Sequence, residues 1–171
     1  MAMIKKVGYG QVEPNHLSAQ RTGQIYAQSP CVAEIENLEN GSFLKIDPAT
    51  NLSGKTGSGE WMLVYNEVKL YNNAFEGYKD FRLTKAGSAG GVLIPRLFKT
   101  NVGDRFTTNM IEGASVEAGD QLVVAEGTEA GYTNVGMLKA GEAAAGEIAF
   151  EVVKVYTMPD GTPGVKVVRV Q

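Results

Sequence analysis

Cysteine and histidine each occur once in the 171 residues, as Cys31 and His16. A lone cysteine excludes an intrachain disulfide and leaves the redox compartment open; Cys31 reads as a small buried hydrophobe. One histidine and one cysteine are too few strong ligands for a conventional zinc site, and an alternating Asp/Asn calcium loop closed by Glu is also missing. No apolar run approaches the length of a transmembrane helix. The opening MAMIKKVGYGQVEP carries charges without the apolar stretch of a secretory signal, so synthesis in the cytoplasm is expected. Excess positive charge is lacking too: 16 Lys and Arg stand against 19 Asp and Glu, a net of −3. A duplex-binding domain needs clustered cations to displace counterions, so nucleic acid is not an expected partner, and neither is a membrane.

What the chain does have is a globular balance, 43% apolar and 20% charged, with a length that suits one domain or one domain plus an arm. A chain of about 150 residues buries roughly 70% of the surface its unfolded form exposes. Glycine is abundant, 21 residues, or about 12% against an average near 7%. The glycines punctuate short apolar runs, as turns do.

Residues 1–30 differ from the rest. Lys5, Lys6 and Arg21 against Glu13 give them a net of +2, leaving −5 on the remaining 141. Gly8, Gly10, Pro14, Gly23 and Pro30 interrupt scattered large apolar residues with no sustained period. One short helix is expected over His16–Arg21, with Asn15 as its N-cap. The rest reads as an extended arm, which at full stretch spans at most roughly 100 Å. Two outcomes stay open: packing on another subunit, or a strand tucked into its own domain.

From Cys31 onward short β-type runs alternate with turn signals. Ser42–Ile46 lies between Asn40-Gly41 and Asp47-Pro48, and residues 51–59 read as a loop. Glu60–Tyr71 alternates with a period of two, with Met62, Val64, Val68 and Leu70 on one face and Trp61, Leu63, Tyr65 and Tyr71 on the other, the second amphipathic enough for a surface or interface. Phe81–Thr84, Val92–Lys99, Arg105–Ile111, Gln121–Ala125 and Val135–Lys139 follow as expected strands, Pro95 marking an edge or bulge. Ile148–Met158 and Val165–Val170 close the chain around residues 159–164, whose Pro, Asp and Gly favour a turn. Glu142–Glu147 is a second candidate helix. A short echo runs through Val102-Gly103-Asp104-Arg105-Phe106 and Ala118-Gly119-Asp120-Gln121-Leu122, sixteen residues apart, each a Gly-Asp turn delivering an apolar residue into a strand. The pattern is mainly β: a small β-barrel or β-sandwich body over residues 31–171, with an extended N-terminal arm over 1–30 and little helix.

No catalytic constellation emerges, and a non-enzymatic chain is expected, without catalytic residues, cofactor or metal. Gly54-Lys55-Thr56 imitates a phosphate loop, but Ala49 stands where that loop needs glycine and a strand, not a helix, should follow. Ala86-Gly87-Ser88-Ala89-Gly90 imitates a nucleophile elbow, yet the only histidine precedes the serine. Glu34, Glu36 and Glu39, and the lesser pair Glu126 and Glu129, read as solvated charge. The aromatic cluster from Trp61 through Tyr65, Tyr71, Phe75 and Tyr78 reads first as core, then as interface. Candidate interface residues are Ile4, Val7, Tyr9, Leu17, Ile25, Tyr26, Trp61, Tyr65 and Tyr71.

The strings GYGQVEPNHLSAQRTGQIYAQ, GEWMLVYNEVKLY, LFKTNVGDRFTTN and VYTMPDGTPGVKVVRV together resemble small virion structural proteins of tailed bacteriophages, of the capsid decoration (cement) type. The likeness covers most of the chain but is one of type, without a sharp motif, so no ligand or catalytic position is carried over. It implies a β-tulip-like or barrel body on the capsid exterior, an arm that grips neighbouring subunits, the major capsid protein as partner, and self-association with a trimer preferred. The alternatives are another virion component, such as a head fibre or tail protein, and a β-barrel module for a glycan or small ligand with Trp61 and nearby tyrosines as its platform.

Overall fold

The computed structural model describes residues 2–3, 9–21, 25–66, 82–113, 115–125, 136–158 and 161–171. They are mainly β. In chain order the strands are β1 (Ala2–Met3), β2 (Val12–His16), β3 (Asn37–Glu39), β4 (Phe43–Asp47), β5 (Leu52–Gly54), β6 (Met62–Val64), β7 (Arg82–Thr84), β8 (Leu97–Phe98), β9 (Arg105–Thr108), β10 (Ile111–Glu112), β11 (Ser115–Val116), β12 (Gln121–Val124), β13 (Leu138–Ala140), β14 (Ala149–Thr157) and β15 (Pro163–Arg169). A four-residue helix, α1 (Ser18–Arg21), and a 3-10 turn at Ala89–Gly91 are the helical pieces among the described residues.

A seven-stranded sheet runs β10-β13-β12-β14-β15-β9-β2. Its centre is the hairpin β14–β15, whose sequence alternates apolar and polar as a half-buried strand should. Val152 pairs with Val167 and Lys154 with Lys166, so Val153 is an extra residue. A slip of one residue swaps the faces of a strand. Here the bulge lets Phe150, Val152 and Val155 all meet the core while Lys154 stays outside.

Against this sheet lies a four-stranded one, β5-β4-β6-β8, covered on both faces. Phe43, Trp61 and Leu63 enter a core shared with Phe106, Leu122, Phe150 and Val167 of the large sheet. Phe43, Phe106 and Phe150 form a triangle of rings with centroids 5.5–6.3 Å apart, a geometry worth more than burial alone. Leu44, Met62, Val64 and Leu97 face a second core with Cys31, Ile35, Leu38 and Leu93. Isolated bridges join Ala27 to Leu97 and Cys31 to Ser53, so residues 27–31 reach from β8 to β5 and close the small sheet over that second core. Arg169 on β15 reaches across to Glu60 at 2.6 Å and to the carbonyl of Thr100, tying the two layers together.

The Gly-Asp echo turns out to be one turn used twice. Gly103 and Gly119 both have φ of 94°, left-handed backbone that favours glycine. Gly103 donates to the Arg169 carbonyl and Gly119 to that of Val152; Arg169 and Val152 donate back to the carbonyls of Asp104 and Asp120. The registers repeat as well. On one side β9 pairs Phe106 with Val167 and Pro14; on the other β12 pairs Leu122 with Phe150 and Ala140. The trio β2-β9-β15 therefore maps onto β13-β12-β14 by a local two-fold through the Glu151–Val168 pair.

Of the two outcomes open for the N-terminal segment, Val12–His16 take the second: they are extended and pair with β9 of the same chain, and Leu17 is 2% exposed in the core; as an edge strand, β2 tolerates Pro14. Residues 27–31 bridge β8 and β5 in the small sheet. Other expectations are corrected. Ser18, not a residue capped by Asn15, begins α1, and Asp104 supplies the acceptors there. Residues 142–147 are irregular with a turn at 145–146, not a helix, because the two glycines flanking the alanines end any helix before it can nucleate. Residues 52–54, expected in a loop, are β5, and β6 is only Met62–Val64 within the described part of Glu60–Tyr71.

Candidate functional site

The chemical near-misses dissolve when placed in the fold. Gly54 ends β5 and no helix follows Thr56, so a phosphate would meet no helix N-terminus. Ser88 donates to the Thr84 carbonyl at 2.8 Å within a surface turn. Of the acidic cluster, Glu34 and Glu36 are exposed while Glu39 accepts the Gly10 amide; Glu126 and Glu129 lie outside the described residues. Burial pushes the Cys31 thiol up to about 12, which keeps it out of the nucleophilic thiolate form. Among the described residues no group of three or more His, Cys, Asp or Glu is placed to hold a metal, and no buried side-chain nitrogen or oxygen lacks a hydrogen-bond partner.

The candidate interface residues divide sharply. Leu17 and Trp61, expected at an interface, are 2% and 4% exposed and spent on the chain's own core. Both faces of β6 are covered, so the described part of that run, through Asn66, leaves no free strand face. The Lys45 ammonium lies 4.6 Å from the centroid of the Trp61 ring, a cation–π contact inside the fold. Tyr65 is half-buried beside Phe98, their centroids 6.1 Å apart, and Tyr9 is half-buried under the Arg82 guanidinium at 4.9 Å. Ile25 is half-buried. Ile4, Val7 and Tyr71 lie outside the described residues, as do Phe75 and Tyr78. Among the described members of the set, Tyr26 alone is well exposed, at 57%.

Tyr26 opens the way to the strongest surface feature. Tyr26 and Ala27 run antiparallel to residues 96–98: the Tyr26 amide donates to Leu97, Leu97 donates back to Ala27, and Cys31 donates to Leu93. Ala27, Cys31, Leu93 and Leu97 turn inward to the second core. Of the alternate positions, Tyr26, Val92 and Ile94 are exposed at 57%, 41% and 50%, while Phe98 is buried. Half of the six well-exposed large apolar residues among those described fall on this one ribbon, and the Lys99 ammonium sits 4.2 Å from the Tyr26 ring centroid at its end. Scattered surface apolar residues need no explanation, whereas a grouped patch rimmed by polar residues marks an interaction surface. Sequence reasoning singled out Tyr26 but missed Val92 and Ile94. The available signal was Val92-Leu93-Ile94-Pro95, apolar at both parities beside an edge-type proline.

The N-terminal strand is held by a second constellation. Asn109, wholly buried, accepts the Gln11 amide at 2.8 Å and donates to the Tyr9 carbonyl at 3.0 Å, so its side chain pairs with this backbone as a strand would. Thr108 donates to the Gln11 carbonyl, and Asp104 accepts both the Ser18 amide and hydroxyl at 3.0 Å. The Tyr156 hydroxyl donates to Glu13 at 3.0 Å; burial, then Glu13 against an opposing bond to Thr107, raises its pKa. Asn40 and Asn66 do similar work in the small sheet, bonding each other's backbone or side chain, while Asn66 accepts the Arg96 amide.

No protein-family model, curated protein or solved structure matches the chain.

Proposed function

We propose that this chain is a non-enzymatic structural protein of a tailed-bacteriophage virion, one that binds the outer surface of the capsid and reinforces contacts between major capsid subunits. The reading rests on the sequence resemblance together with one structural observation, the apolar ribbon of Tyr26, Val92 and Ile94. That ribbon is the outward face of residues whose inward face closes the smaller core, so it is presented rigidly and costs little ordering on binding. A protein whose task is to clamp other subunits needs a preformed patch of this kind, and rigid aromatic and aliphatic anchors are the residues that carry such contacts. The glycan-platform alternative loses its centrepiece, since Trp61 is buried.

The test is cosedimentation with preformed shells of a tailed-phage major capsid protein from the same genome as this chain. A Tyr26→Ser, Ile94→Asp variant should keep the fold, because both side chains are exposed, and lose binding by at least about tenfold, the equivalent of 1.4 kcal/mol. Binding by the variant equal to that of the unaltered chain, or no shell binding by either, would overturn the reading. Deleting residues 1–30 is not an equivalent experiment, because it also removes β2 and Leu17 from the body.

A further inference from the structure

We infer that β2 with its flanking anchors, residues 9–18, is an exchangeable strand, able to fill the same slot in a second copy of this chain. The local two-fold carries the argument. In one half of the large sheet the outer partner of the turn-bearing strand is β13, set between β12 and β14 in the chain and paired as Leu138–Val124, Lys139–Val123 and Ala140–Leu122. In the other half the same register is filled by β2, as Val12–Thr108, Glu13–Thr107 and Pro14–Phe106. The two equivalent slots, on β12 and on β9, thus hold unrelated sequences in one register, because the pairing is made through the backbone.

The difference lies in how each occupant is tied. β13 lies between β12 and β14 in the chain, so it is entered from and left for strands of its own half of the sheet, and it also pairs with β10 on its other side. β2 is joined to its half by no such connection: its partner β9 lies some 90 positions on, as the 92-residue spacing of the Thr107–Asn15 bond shows. What retains it is a set of anchors that the body offers to any incoming copy of the segment. Asn109 and Thr108 grip Tyr9 and Gln11, Asp104 grips Ser18, and Leu17 fills a core position. At Gly10 an added Cβ would collide with the Asn40 carbonyl and Met110, so the fit is close. Every one of these contacts is reproduced when the segment comes from a neighbour, so exchange is opposed mainly by the entropy of association. High local concentration offsets that term. The inference stands apart from the capsid reading, since it needs only a second copy of this chain.

The test places cysteines at the exposed cross-strand partners His16 and Arg105, as His16→Cys and Arg105→Cys in a full-length Cys31→Ala background. Opposed strand positions lie within disulfide reach. Copies labelled with ¹⁴N and ¹⁵N are mixed, unfolded, refolded across a range of concentrations and oxidised, and the 16–105 linked peptides are weighed. Exchange predicts mixed-isotope linked peptides that rise with concentration toward the random-mixing limit, alongside covalent oligomers on a non-reducing gel. Linked peptides of a single isotope at every concentration overturn it. Should that pair fail to fold, Glu13→Cys with Thr107→Cys gives the same reading two register positions along, beyond the Pro14–Phe106 pair.

Discussion

The two halves of the large sheet share a turn, a register and a buried residue two places past the aspartate, and they differ in what the aspartate does. Asp120 accepts the Glu117 amide at 2.7 Å and lies at the surface of its turn. Asp104 accepts the equivalent amide, that of Asn101, at 2.9 Å, and in addition both polar groups of Ser18, and it is 2% exposed. In the half whose outer strand lies between its sheet neighbours in the chain, the position matching Leu17 is the exposed Glu142. In the half whose outer strand comes from far away in the chain, the turn has become a clamp and a leucine has become a plug. The same local structure is thus recruited for tertiary retention only where connectivity does not provide it.

The comparison breaks most visibly in the core. Phe106→Ala and Leu122→Ala remove matched side chains that are both fully buried, so each should cost about 3–5 kcal/mol. Urea midpoints of the two variants should fall together, and a loss confined to one would show the halves to be unequal in packing as well as in retention. The turns should separate next. Asp104→Ala leaves buried donors unmet and should cost about 3 kcal/mol, against about 1 kcal/mol for Asp120→Ala; amide exchange at Gln11–Ser18 should accelerate in the first variant and not in the second. Equal losses would remove the clamp.

The last expectation concerns the small sheet and is silent at neutral pH. The folded Cys31 thiol titrates at about 12 against an ordinary 9.0. The proton is therefore held more tightly in the folded state, and the contribution is intact below 9.0 and is lost as the pH rises toward 12. A Cys31→Ala variant should show a shallower alkaline decline in stability than the unaltered chain. A parallel decline would place the titrating group elsewhere.

Much of the large sheet was legible in the residues. Alternation in β14 and β15, the turn between them and the Gly-Asp echo follow from local chemistry. What hid was set by tertiary cover. In Trp61-Met62-Leu63-Val64 both parities are buried, and a period of two cannot say whether its second face meets solvent or another core. β2 hid because Pro14 and its polar neighbours give it little strand character of their own; its partner and its anchors lie mostly some 90 to 100 positions away. The ribbon of Val92 and Ile94 hid because exposure is a property of the fold, and the same valine and isoleucine would read as core in any isolated run.

The pairing of Asn40 with Asn66 also bears on chemical ageing. In a loose chain an Asn-Gly step is prone to cyclise: the glycine nitrogen attacks the asparagine side-chain carbonyl, ammonia leaves, and the succinimide opens to aspartate or isoaspartate. Here the Gly41 nitrogen donates to the Val64 carbonyl at 2.9 Å, and the Asn40 amide is fastened to Asn66 on both its oxygen and its nitrogen. Nucleophile and electrophile are each engaged elsewhere, so the fold acts as a preservative for the turn between β3 and β4, and damage at residue 40 becomes a record of how long a given molecule has spent unfolded.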